Sequence, residues 1–184
     1  MTTRPIGRAA GAAALALMLW QCGGGEDGAT VAAAGQQVDA CDLVPREEVA
    51  ALVGVPVDSA EGRFNEHTYT DPVTYTASCM YTGGDVVMLT VHYPVAEARG
   101  TSADLASRLT EWLHSSEEDD PSIKELYRST EVRPVAGLAG PAAEYDMLGQ
   151  TTLEARLGRY QVKVAAPSPE SARGIAAKAL ERLR

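Results

Sequence analysis

The chain has 184 residues and a formal charge of −9, with 16 basic against 25 acidic side chains. That balance repels phosphate backbones and anionic headgroups, which argues against a nucleic-acid partner and against flat docking on anionic lipid.

Arg4 and Arg8 make a short positive start, followed by the uncharged apolar run Ala9 to Trp20. A membrane-spanning helix needs about 20 apolar residues, so this run is too short. It matches the apolar core of a secretory signal, usually about 7–15 residues. Leu19-Trp20-Gln21-Cys22 resembles a lipobox, the bacterial lipoprotein signal that ends in Cys. The resemblance implies that residues 1–21 are a signal peptide and that Cys22 becomes the mature, lipid-modified N-terminus. One acyl chain, such as a single palmitate, binds membrane only marginally, and the implied two or three chains make the anchor stable. Trp20 and Gln21 depart from the usual pattern. The alternative is an ordinary signal peptide cut at Ala32-Ala33-Ala34, but Glu26 and Asp27 make that site distant and polar. Residues 22–38 are small and Ala/Gly-rich, as in a flexible tether. The expected location is the extracytoplasmic side of the cell membrane or outer membrane, with the membrane as partner through the lipid.

Residues 39–184 are the size of one domain. Loss of Arg4 and Arg8 leaves 14 basic and 25 acidic side chains, a mature charge of −11. With Cys22 acylated, Cys41 and Cys79 remain as one pair, and in an oxidising compartment such a pair reads as a disulfide.

Pro45 suits a first helical position, Glu47 and Glu48 complement the helix dipole, and Gly54 suits the C′ site. Val49, Leu52 and Val53 give that short helix one apolar face. The opening Cys41-Asp42-Leu43-Val44-Pro45-Arg46-Glu47-Glu48-Val49 resembles a family of small lipoproteins of unknown function from high-GC bacteria, which opens Cys-x-Leu-Leu-Thr-x-x-Glu-Val. Cys79-Met80-Tyr81 and Val135-Ala136-Gly137-Leu138-Ala139-Gly140-Pro141-Ala142 resemble its later segments, with Val44 and Ala139 as departures. No catalytic residues come with that family.

Val55 to Val73 is polar and mixed, an irregular strand with a loop at Asp71-Pro72. Thr74–Thr82 and Asp85–Tyr93 read as strands joined by a two-residue turn at Gly83-Gly84. That register places Val87, Leu89 and Val91 with Met80, Ser78 and Thr76, leaving both faces partly apolar. It predicts a hairpin covered on both sides. Thr101 to Asp104 reads as a capping box, and Leu105, Leu109, Trp112 and Leu113 as the core stripe of the following helix. Glu117 to Pro121 ends that helix. An uncertain strand near Thr130–Val135, three further strands and a helix from Ser168 complete the chain. Its stripe is Ala172, Ile175, Ala176, Ala179, Leu180 and Leu183. A two-residue turn at Gly158-Arg159 pairs Leu157 with Tyr160, Ala155 with Val162 and Leu153 with Val164, and sets Glu154 opposite Lys163 on a wet face. For the hairpin before it, a three-residue loop Gly149-Gln150-Thr151 sets Met147 opposite Leu153 and keeps Asp146 out of the core.

Cys79 with His92 could be a nucleophile and base, but a disulfide removes the thiol. His67, His92 and His114 lack zinc spacing, so neither a metal nor another cofactor is expected. Glu117–Asp120 has no ligand spacing for calcium. Gly137 to Gly140 lacks a GK[ST] and reads as a turn, and no G-x-S-x-G is present. The sequence therefore predicts an α+β domain, one mostly antiparallel sheet with packed helices, with a Mog1/PsbP-like arrangement as an analogy. The expected function is a non-catalytic binding or interaction module for an unknown protein or small molecule. The alternative is an envelope hydrolase with His67 or His92 as base.

Overall fold

The computed structural model describes residues 37–96, 99–116 and 120–184. Cys22, the segment before it and most of the run 22–38 lie outside these residues, as do positions 117–119 of the acidic run. No described helix is long and apolar enough to cross a membrane.

The first elements are α1 (Ala40–Leu43), α2 (Arg46–Val53), β1 (Val57–His67), β2 (Thr74–Gly83) and β3 (Val87–Tyr93). Next come α3 (Ser102–Ser115), α4 (Pro121–Ser129) and β4 (Val132–Val135). The chain closes with β5 (Ala142–Met147), β6 (Gln150–Leu157), β7 (Tyr160–Ala166) and α5 (Pro169–Arg182). All seven strands form one sheet in the order β1-β2-β3-β7-β6-β5-β4. Every pairing is antiparallel, so the α+β expectation is met. The two meanders join where β3 pairs β7.

Helices cover opposite faces. Ala172, Ile175, Ala176, Ala179 and Leu180 of α5 are fully buried against one face, in a core shared with Leu89, Leu153 and Val164. Leu105, Ala106 and Leu109 of α3 pack on Ala143 from the other. The α3 capping box forms as expected, with the Asp104 carboxylate accepting from the Thr101 N–H at 2.6 Å. Trp112 is not in the stripe: it is 52 % exposed, while Leu105, Leu109 and Leu113 are buried. Leu105, Leu109 and Leu113 recur every four residues along one line of α3, and Trp112 falls beside that line. Helix α4 was not anticipated; Asp120 caps it by accepting from the Ser122 N–H at 2.8 Å, and none of its residues is buried. Packing also begins earlier than the tether boundary, because Val38 is buried and donates its N–H to the Tyr93 hydroxyl at 2.8 Å.

The disulfide Cys41–Cys79 is present, with Cα atoms 5.1 Å apart. It joins α1 to the middle of β2.

Two hairpin registers differ from expectation. In β2–β3, Ala77 faces Val91, Cys79 faces Leu89 and Tyr81 faces Val87. The connection is longer than Gly83-Gly84, running over residues 82–86 between the pair Tyr81 and Val87; Gly83 within it still pairs with Val57, and a Cβ there would meet the Pro56 carbonyl oxygen at 2.3 Å. The one-residue shift puts Tyr81, Val87, Leu89 and Val91 on one face and leaves Ser78, Met80, Met88 and Thr90 on the other. The hairpin therefore has one covered face, not two. In β5–β6, a two-residue turn at Leu148-Gly149 sets Asp146 opposite Thr151 and Glu144 opposite Leu153. Both turn residues have positive φ, 53° and 78°, as a type I′ turn requires. Leucine is a poor residue for that conformation, so the composition gave no cue.

That second shift buries a carboxylate after all. Glu144 is 2 % exposed. It is partnered: Arg173 of α5 donates through Nε at 2.8 Å and Nη2 at 2.6 Å, a two-pronged pair. Arg133 stands 3.5 Å away. Asp146 stays exposed and accepts from Arg133 at 2.7 Å and Thr151 at 2.6 Å. The β6–β7 register is as expected, including Glu154 opposite Lys163. Its face is drier than expected, since Glu154 is only 5 % exposed.

Candidate functional site

Pairing brings one aromatic side chain per strand to the same end of the α5-covered face. Phe64 of β1 stacks on Tyr75 of β2, with centroids 5.8 Å apart and planes 21° apart. Tyr75 lies 5.4 Å from Tyr93 of β3, and Tyr93 lies 5.7 Å from Tyr160 of β7. The Arg159 guanidinium caps the row 5.5 Å from the Tyr160 centroid, a cation–π arrangement. This face is dry farther along the strands, under α1 and α5. At the aromatic end no described helix covers it, and the rings form the floor of a cleft.

The cleft holds about 380 Å³, the size of a small-ligand site. Phe64, Tyr75 and Tyr93 line it, with Glu66 and Arg159 as opposite charges and Gln37 on its wall. A second hollow of about 200 Å³ lies beside it, between residues 37–40 and Gly62–Phe64. Gln37 and Phe64 border both. Burial raises the Tyr93 phenol above its ordinary value, more than the Val38 N–H lowers it, so the ring stays neutral at physiological pH. No side chain of the cleft is a nucleophile beside a base. The arrangement can stack a ring or an apolar chain and meet charges at its ends.

The opposite face of the same strands carries the histidines. His67 and His92, far apart in sequence, are bridged by Thr76: Oγ1 lies 3.0 Å from His67 Nε2 and 2.9 Å from His92 Nδ1. The Tyr69 hydroxyl reaches His67 Nδ1 at 2.9 Å. Beyond His92, Gln161 donates to Glu154 at 2.9 Å, and Lys163 stands 3.6 Å from Glu154. Burial lowers the His92 pKa most, with Lys163 and His67 adding to it and Glu154 opposing. His92 is therefore neutral at pH 7. The third histidine, His114, sits in the last turn of α3, away from this row. It complements the helix dipole there.

The sequence reading named the two histidines separately and missed their bridge, because the pairings of β1 with β2 and of β2 with β3 that align them depend on register. It missed the aromatic row for the same reason. Its signal was present as Phe64, Tyr75, Tyr93 and Tyr160 near the ends of four strands, with Tyr81 as a second aromatic in β2. Among the described residues no cluster of three potential metal ligands exists. Cys41 and Cys79 are joined in the disulfide and carry no free thiol. No family model matches the chain, and no curated protein matches it.

Proposed function

We propose that this chain is a cell-envelope lipoprotein, held to the membrane by lipid on Cys22, whose domain is a non-catalytic binding module with the aromatic cleft as its site. The observation that carries the reading is the cleft itself: the aromatic rings of Phe64, Tyr75 and Tyr93 side by side on three strands, backed by the buried Tyr160, with Arg159 and Glu66 at its margins. Buried aromatic area contributes most of the energy of such sites. The disulfide supports an oxidising compartment. The residues of the opening resemble those of small lipoproteins, which supports the anchor. Within the α+β class, an antiparallel sheet with helices on both faces supports a Mog1/PsbP-like arrangement.

The His67–Thr76–His92 bridge favours the second reading, a hydrolase. A threonine hydroxyl between two histidines resembles a nucleophile with its base. Two physical points weigh against it. Thr76 lies mid-strand between two neighbours, so the backbone N–H groups around it serve the ladders and cannot form an oxyanion hole. Among the described residues no carboxylate bonds to either imidazole to orient it. Screening the purified chain against ester, peptide and glycan substrates separates the readings. The binding reading expects no turnover above buffer. Turnover that disappears in His67→Ala or His92→Ala would replace it with the hydrolase.

A further inference from the structure

Strand β1 is an edge of the sheet, and among the described residues it pairs only with β2. It has 11 residues, and the seven from Ala60 to Glu66 are all exposed. An edge of this length presents about five residues whose N–H and C=O groups point outward without a ladder partner. Proteins commonly close such edges with proline, lysine, shortness or a covering helix. β1 has no proline or lysine and is not short; α1 and α2 pack against it, and its irregularity is confined to the start, between Val57 and Ser59, where Arg46 donates to the Asp58 carbonyl at 3.4 Å. The opposite edge, β4, has four residues, carries Pro134 and packs against α3.

What β1 carries instead is charge. Glu66, on the cleft face, and Asp58, at the irregular start, are acidic with no basic side chain of β1 beside them, while Glu61 and Arg63 offset each other on the other face. A second copy of this acidic chain would bring the same charges to the same edge. Pairing two copies about Gly62 gains two Glu61–Arg63 contacts but sets Asp58 against Glu66 twice. The stretch Gly23 to Gln36 brings only Glu26 and Asp27 as charges, again acidic. Neither complements the edge. A basic strand does.

The cleft adds side-chain selection. Phe64 and Glu66 belong both to the edge and to the cleft. A strand laid along β1 would alternate its side chains between the two faces, so every second one would fall on the cleft side, beside Phe64 and Tyr75. Main-chain bonds along an open edge, with pockets for alternate side chains, are the parts of recognition by strand addition.

We infer that β1 and the cleft together receive an extended basic segment of a partner protein, which adds as an eighth strand and seats an apolar or aromatic side chain against Phe64 and Tyr75. The inference rests on the cleft being a binding site and names what enters it.

The test uses the purified full chain and a fluorescent heptapeptide with phenylalanine at its centre, lysine two residues to either side on the same face, and threonine at the other positions, so that a lysine falls beside Glu66 when the phenylalanine lies beside Phe64. Expected is one-to-one binding that weakens as salt rises. Affinity falls at least tenfold when alternate peptide amides are N-methylated on the edge facing β1, and at least tenfold when glutamate replaces lysine. Phe64→Ala and Glu66→Lys each lower it by a similar factor, with the folded state of both variants checked by circular dichroism. Binding that survives N-methylation of either edge overturns strand addition but leaves the cleft a binding site. No binding of the peptide overturns the inference, and in-cell photo-crosslinking from Val73 then decides the cleft separately. A chain that dimerises through β1 without peptide, by analytical ultracentrifugation, overturns it in favour of a second copy.

Discussion

The β4–β6 side of the sheet is packed from both faces: α5 lies on Glu144 and Leu153, α3 on Ala143, and the Glu144 and Glu154 carboxylates there are buried and paired. The β1–β3 side has α1, α2 and a disulfide on one face and no described helix on the other, with β1 open along its length. Buried polar groups persist only where partners are fixed, so the first side reads as the structural half. Phe64, at the open end of the aromatic row, is exposed beside an unpaired edge and stabilises little in the free chain, while Tyr93 and Tyr160 behind it are buried in the core, so the Phe64 end of the second side is where a ligand is accommodated. The contrast makes distinct demands on substitutions in each half.

The largest stability effect is expected on the open side. Replacing Cys41 and Cys79 by alanine should cost about 3–4 kcal/mol in the chain-entropy picture, read as a lower urea midpoint with α1 detached from β2. Arg173→Ala should cost about 2 kcal/mol, because it leaves Glu144 buried with only Arg133 nearby. That is below the roughly 3–5 kcal/mol of a fully buried pair, since Arg173 is itself half in water. Phe64→Ala should cost only about 1 kcal/mol of stability, its ring being 37 % exposed, while removing most ligand affinity. A loss of several kcal/mol there would make Phe64, like Tyr93 and Tyr160, part of the core and erase the contrast. Leu148→Asn should stabilise the chain by about 0.5–1 kcal/mol, because asparagine tolerates the positive φ that leucine resists.

The smallest effect concerns pH. The His92 pKa lies below its unfolded value of 6.5, chiefly through burial. Its contribution to stability is complete above that value and is lost as pH falls below it, toward the lower folded value, because the unfolded chain takes the proton first. His92→Gln should flatten the urea midpoint across that acid range. An unchanged slope would mean that the histidine row is open to water.

Much of the architecture was legible before any coordinates. The α5 stripe, the α3 capping box, the β6–β7 register and the Cys41–Cys79 bond follow from local patterns: capping residues, periods of 3.6 and 2, and an even pair of thiols. Registers set by unusual turns were not legible. Gly83-Gly84 looks like a turn but serves close packing against Pro56, and Leu148-Gly149 is a turn without a favoured first residue. The odd loop at residues 149–151 was chosen to avoid an unpaired buried carboxylate. The rule held, but the partner, Arg173, stands 29 residues away from Glu144. Both parts of the candidate site depend on those pairings. The aromatic row and the histidine bridge consist of residues far apart in sequence, so no motif announces either.

Site-specific photo-crosslinking in cells tests the central claim most directly, by setting the two faces of the β1–β3 half against each other. A photoreactive residue at Val73, on the cleft, should capture a discrete partner, and Tyr75→Ala should abolish the adduct. One at Ser78, on the histidine face, should capture none. Adducts at Ser78 with none at Val73 would contradict the account and move the functional surface to the His67–Thr76–His92 side.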